Sequence, residues 1–175
     1  MIERKKGIIS IRTRRSGVMM PLFPDDTDGD EEADYDDGFD EPFDDLSEEG
    51  EVEELELAME GKLVITGARA ELVWHESELT GMEGATTKLG FALDAPGLVS
   101  MLRSGSVNTA LVFERGQRHI CVYNTPFSAF EVCVQGLVVD NRLLSDGTLE
   151  LDYLIELRGN RAERCRMSVR FSEEQ

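Results

Sequence analysis

The sequence predicts an all-β chain, an antiparallel barrel of about eight to ten short strands with a long acidic insertion in its first hairpin loop. Three observations lead there. Apolar and polar residues alternate with a period of two over most of the chain beyond Val52, the spacing that sends successive side chains to opposite faces of a strand. Turn signals recur between these stretches, at Gly67, Pro96-Gly97, Gly105, Gly116, Asp146-Gly147 and Gly159-Asn160. Regular spacing of that kind belongs to a barrel or sandwich, and one-sided alternation excludes a doubly buried parallel sheet. Finally, residues 25–54 hold eighteen Asp/Glu and no Lys/Arg, so the net charge of −18 resides in one segment and the remainder is neutral.

In chain order, residues 1–20 supply the first strand. Gly7–Arg14 is rich in β-branched types, with Ile9 and Ile11 on one face and Ile8, Ser10 and Arg12 on the other. Pro21 and Pro24 discourage regular structure, and residues 21–50 read as an acidic disordered loop. Residues 51–175 supply the rest of the barrel. Leu55, Leu57 and Met59 begin a half-exposed strand that bends at Gly61, and Ala70, Leu72 and Trp74 form the inner face of the next. Thr87, Leu89, Phe91 and Leu93 follow, then Leu98–Arg103, Val107–Phe113 and Arg118–Tyr123. Phe130, Val132 and Val134 open a strand reaching about Leu143. Leu149, Leu151, Tyr153, Ile155 and Leu157 give the cleanest alternation, and Cys165, Met167, Val169 and Phe171 give the last face. Closure into a barrel removes the exposed sheet edges and leaves room for packed side chains or one small ligand.

The acidic block argues against nucleic-acid binding, because it repels phosphates. Tyr35, Phe39 and Phe43 punctuate it four residues apart. Two readings stand side by side: a solvated low-complexity loop, and an acidic-aromatic motif that folds onto a basic partner protein. Asp26, Asp28 and Asp30 alternate as calcium ligands do, but Gly29 and the terminal glutamate fall out of place for an EF-hand loop. No apolar run is long enough to cross a membrane as a helix, and no secretory signal is read. Cys121, Cys133 and Cys165 lack Cys-x-x-Cys spacing and read as reduced thiols of a cytoplasmic protein, with a Cys121–Cys133 pair across a hairpin as the minor alternative.

The segments Glu78-Leu-Thr-Gly-Met-Glu-Gly84, Arg103-Ser-Gly-Ser-Val-Asn108, Val112-Phe-Glu-Arg-Gly116 and Tyr123-Asn-Thr-Pro-Phe127 together resemble the YwiB-like family, a bacterial domain-of-unknown-function family. The resemblance covers roughly Val52 to Phe171 and implies a calycin-like (lipocalin-like) barrel, with the acidic block inserted between the family's first two strands. It implies no activity.

Arg103 and Asn108 flank Gly105. As ligand-binding residues they can fix a carboxylate or phosphate at the barrel mouth; as structural residues Asn108 serves the turn and Arg103 pairs with Glu114 or Glu78. Arg118 and Tyr123 can add polar groups to a pocket, or Tyr123 can pack across the strand on Phe127. Trp74, the only tryptophan, is a core residue or a ligand-stacking wall. His75 and His119 lack a ligand spacing, so no metal, cofactor or catalytic set is expected. The expectation is a non-enzymatic barrel for a small apolar or amphipathic ligand. Its inward wall would include Leu72, Trp74, Leu89, Phe91, Leu151 and Tyr153, with Arg103 at a polar end. The alternative is an interaction module acting through Tyr35, Phe39 and Phe43.

Overall fold

The computed structural model describes residues 1–18, 22–23 and 48–175. Ten strands form one closed antiparallel barrel: β1 (Ile2–Val18), β2 (Glu48–Thr66), β3 (Arg69–His75), β4 (Thr86–Ala92), β5 (Ala95–Ser104), β6 (Asn108–Glu114), β7 (Arg118–Asn124), β8 (Ala129–Arg142), β9 (Thr148–Leu157) and β10 (Ala162–Glu173). Each strand pairs with its neighbour in sequence, and β1 closes the ring by pairing with both β2 and β10. A single 3₁₀ turn, Glu78–Thr80, lies between β3 and β4. The acidic insertion joins β1 to β2, and Tyr35, Phe39 and Phe43 lie outside the described residues.

β1 and β2 are longer than the alternation alone indicates, and towards the insertion opposite charges face each other across the ladder. In the β1–β2 ladder Arg12 stands opposite Glu56, Arg14 opposite Glu54 and Arg15 opposite Glu53. Arg12 meets Glu56 at 3.2 Å and Arg14 meets Glu54 at 3.8 Å. Each exposed pair contributes little, well under about 1 kcal/mol, but opposite charges across a ladder set its register. The last acids of the block, from Glu48 onward, are part of β2.

Gly7 and Gly61 face each other in this ladder. A Cβ on Gly61 would stand 2.1 Å from the Ile9 side chain and 2.8 Å from the Val73 carbonyl. Glycine is what allows the strand to lie this close to the Ile9 side chain and the Val73 backbone.

The interior is packed through its middle. Ile9, Leu72, Leu89, Val99, Met101, Phe113 and Leu149 are fully buried, and the Phe113 and Tyr153 rings lie 4.6 Å apart. A second apolar cluster forms outside the barrel wall, where Leu22 covers Cys133, Leu137 and Leu154. The Leu22 amide donates to the buried Glu156 carboxylate, and the Arg158 guanidinium lies 4.8 Å from the centre of the Phe23 ring. The first residues of the insertion are therefore clipped to β8 and β9. Pro21 and Pro24 hide this docking from a strand-by-strand reading, because Leu22-Phe23 is too short to show periodicity.

All three cysteines are free and buried. Cys121 belongs to the inner core and Cys133 to the outer cluster. The two thiols lie on opposite faces of the wall, which removes the geometry needed for a Cys121–Cys133 bridge.

Candidate functional site

One end of the barrel gathers the β1–β2 connection and the turns at 76–85, 105–107, 125–128 and 158–161. Just below this mouth a single cross-strand row runs Trp74, Thr87, Arg103, Thr109, Tyr123 through β3 to β7. These residues share the inner face because each stands directly opposite the next. The row is polar where the layers beneath it are apolar.

Glu76 stands two residues beyond Trp74, on the same face. Its side chain is only 3 % exposed. Oε1 accepts from the Trp74 indole N–H at 3.1 Å and from the Thr87 hydroxyl, and Arg103 Nε lies 3.7 Å from it. The Arg103 side chain is 11 % exposed, and its buried Nε makes no hydrogen bond. A buried guanidinium ordinarily fills its five N–H donors. Here Arg103 meets Glu76 in an ion pair that is beyond hydrogen-bond distance.

These groups border a cavity of about 430 Å³ that opens at the mouth. Ile11, Leu57, Met59 and Met167 form its apolar walls, and Leu55, Leu79 and Met82 its rim. Arg15 also lines it, in contact with the Cys165 thiol. Tyr153 lies within the fields of both Arg103 and Arg15. Burial first, and then the neighbouring Cys165 thiol, push the Tyr153 phenol well above its usual range, and burial likewise raises the Cys165 thiol. Both groups stay protonated at neutral pH. A second hollow of about 430 Å³ lies at the same end, bordered by Tyr123, Phe130, Ile155 and Leu157. A groove of about 570 Å³ on the outer wall is bordered by Lys6, Lys62, Lys88 and His75.

Of the residues singled out from the sequence, Trp74 and Arg103 meet at the first cavity, and Tyr123 shares their row but borders the second hollow. Asn108 closes its own turn, accepting from the Gly105 amide at 3.3 Å and donating to the Gly105 carbonyl at 3.2 Å. Arg118 donates to Gln135 at 3.3 Å, away from the mouth. Phe127 is 96 % exposed, so it does not cover Tyr123, whose ladder partners are Thr109 and Phe130. Leu72, Leu89, Phe91, Leu151 and Tyr153 are buried in the packed core and border none of these three hollows. The partner of Arg103 is Glu76, neither Glu114 nor Glu78. Glu76 escapes a sequence reading because it follows the last strand residue. The usable signal was its two-residue spacing from Trp74. Among the described residues no cluster of three His, Cys, Asp or Glu is placed to hold a metal, and no helix is long and apolar enough to cross a membrane.

A family model described as a domain of unknown function (DUF1934) matches residues 44–169. The crystal structure of the ywiB protein from Bacillus subtilis matches with a TM-score of 0.60 at 12 % identity, covering 95 % of this chain and 93 % of that one. No curated protein matches. At that identity the structural likeness speaks for the fold, and it agrees with the YwiB-like motifs read from the sequence.

Proposed function

Since the chain belongs to the DUF1934 family of domains of unknown function, whose description carries no activity, we propose from its geometry that it is a non-catalytic, calycin-like barrel that binds a small molecule at the mouth. One observation supports this most. A cavity of about 430 Å³ with apolar walls ends on a buried guanidinium whose donors are largely unspent. Ligand sites combine an apolar enclosure of roughly 300–1,000 Å³ with a few placed polar groups. A guanidinium that served only stability would meet its carboxylate in hydrogen-bonded geometry.

Native mass spectra of the protein purified from its own host test the reading. The expected result is a population heavier than the polypeptide by one small molecule, lost when Leu57→Trp fills the cavity. Bare polypeptide alone, joined by no compound from a panel of amphipathic small molecules, would overturn it.

A further inference from the structure

We propose that the ligand carries a carboxylate and enters head first, its anionic group beside Arg103 and its apolar tail toward the mouth. This rests on the small-molecule reading above and adds the charge and the orientation.

The polarity of the cavity runs from inside outward. Its inner end holds Arg103, Trp74 at 2 % exposure and Glu76. Its outer part holds Leu55 and Leu79, the latter 73 % exposed, together with the exposed Arg15, Glu53 and Glu54. A ligand lying tail inward would leave the buried Arg103 and Glu76 facing hydrocarbon with no water to solvate them, which is unfavourable. Head inward, the buried polar groups meet a polar partner, and the tail lies along Ile11, Leu57, Met59 and Met167.

The charge follows from a count of donors. Oε1 of Glu76 is engaged by Trp74 and Thr87, which divides its capacity before Arg103 approaches. Arg103 meets that oxygen with Nε at 3.7 Å, beyond hydrogen-bond distance. Its terminal nitrogens make no hydrogen bond among the described residues. A planar fork with two parallel N–H groups free matches a carboxylate, which accepts both at once. Tyr153 and Cys165, protonated and buried beside the two arginines, add no competing anion. The negative groups bordering the cavity apart from Glu76 are Glu53 and Glu54, both exposed at its outer edge.

Trp74 is the only tryptophan and borders both this cavity and the outer groove at Lys6, Lys62 and Lys88, so its emission reports occupancy of either, and the Arg103 variants tell the two apart. Sodium octanoate, octanol, methyl octanoate and octylamine are titrated against the full chain at about 1 M salt. There the Debye length is about 3 Å, and the acidic segment does not bias the comparison. The expected result is saturable quenching or shift by octanoate, about tenfold or more tighter than octanol and methyl octanoate, as for a lost hydrogen bond to a charged group. Arg103→Met is expected to remove the preference while retaining octanol binding. Arg103→Lys, which keeps the charge and loses the fork, should fall between. Equal binding of octanol and octanoate, or tighter binding of octylamine, overturns the head-group assignment while the barrel remains a binding protein. If none of the four probes perturbs Trp74, the small-molecule reading falls and takes this one with it. A preference for octanoate that Arg103→Met leaves intact, or that Lys88→Gln removes, places the anion in the outer lysine groove and overturns the assignment.

Discussion

Leu22→Ala tests whether the first residues of the insertion belong to the fold. Leu22 is 1 % exposed and presses on Cys133, Leu137 and Leu154 outside the barrel wall. The substitution removes three carbons, worth about 2.4 kcal/mol at roughly 0.8 kcal/mol per buried CH₂. Enclosed Leu→Ala sites lose more, because a cavity remains. At 1 % exposure Leu22 is itself enclosed, so the transfer term is the lower bound and the loss is at least about 2 kcal/mol. Urea unfolding followed by Trp74 emission reads it. With a slope of about 1–3 kcal/mol per molar, the midpoint falls by roughly 1 M or more. A second readout is chemical. The Cys133 thiol points at the Leu22 carbonyl, 3.8 Å away, so a loosened clip exposes it to thiol reagents below the unfolding transition. A midpoint unchanged within about 0.5 kcal/mol, with Cys133 still protected, would refute the docking.

Two further outcomes follow from the fold. Gly61→Ala forces a methyl against Ile9 and the Val73 carbonyl, and is expected to destabilise by about 1–3 kcal/mol; a melting temperature equal to wild type would rule out that close approach. Stability is also expected to fall in alkali. Burial raises the pKa of Cys121, Cys133 and Cys165 above 9.0 and that of Tyr153 above 10.0. From about pH 9 upward the unfolded chain gives up protons that the folded chain retains, so the folded state loses ground as pH rises and is unaffected below. Equal urea midpoints at about pH 8 and pH 10 would contradict this burial.

The barrel was legible because its information is local and periodic. Leu149 to Leu157 alternate with one break, at Leu154, Cys165 to Phe171 alternate throughout, and both inner faces belong to or pack against the core as read. What stayed hidden depends on register between distant segments. The row from Trp74 through Thr87, Arg103 and Thr109 to Tyr123 requires four ladders to be aligned, and a slip of one residue would turn each side chain outward. Glu76 lies past a strand end, where alternation stops. Leu22 docks on residues more than a hundred positions away. Among the candidates, Asn108 was legible as a turn residue because its partner, Gly105, is three residues away. The partner of Arg103 was not, because the Glu76 carboxylate comes from two strands earlier.

The register of β1 and β2 sets Val18 opposite Glu48 at the barrel mouth, so the acidic block is tethered beside the cavity entrance. A tethered polyanion gathers sodium and hydronium ions around itself and depletes small anions. The solution at the entrance is thereby more acidic and poorer in carboxylates than the bulk. For the carboxylic acid proposed above, such a zone would favour passage in the protonated form, with ionisation following beside Arg103. The speed of entry would then respond to ionic strength while the strength of the inner contact hardly did, separating how fast such a ligand arrives from how well it is held.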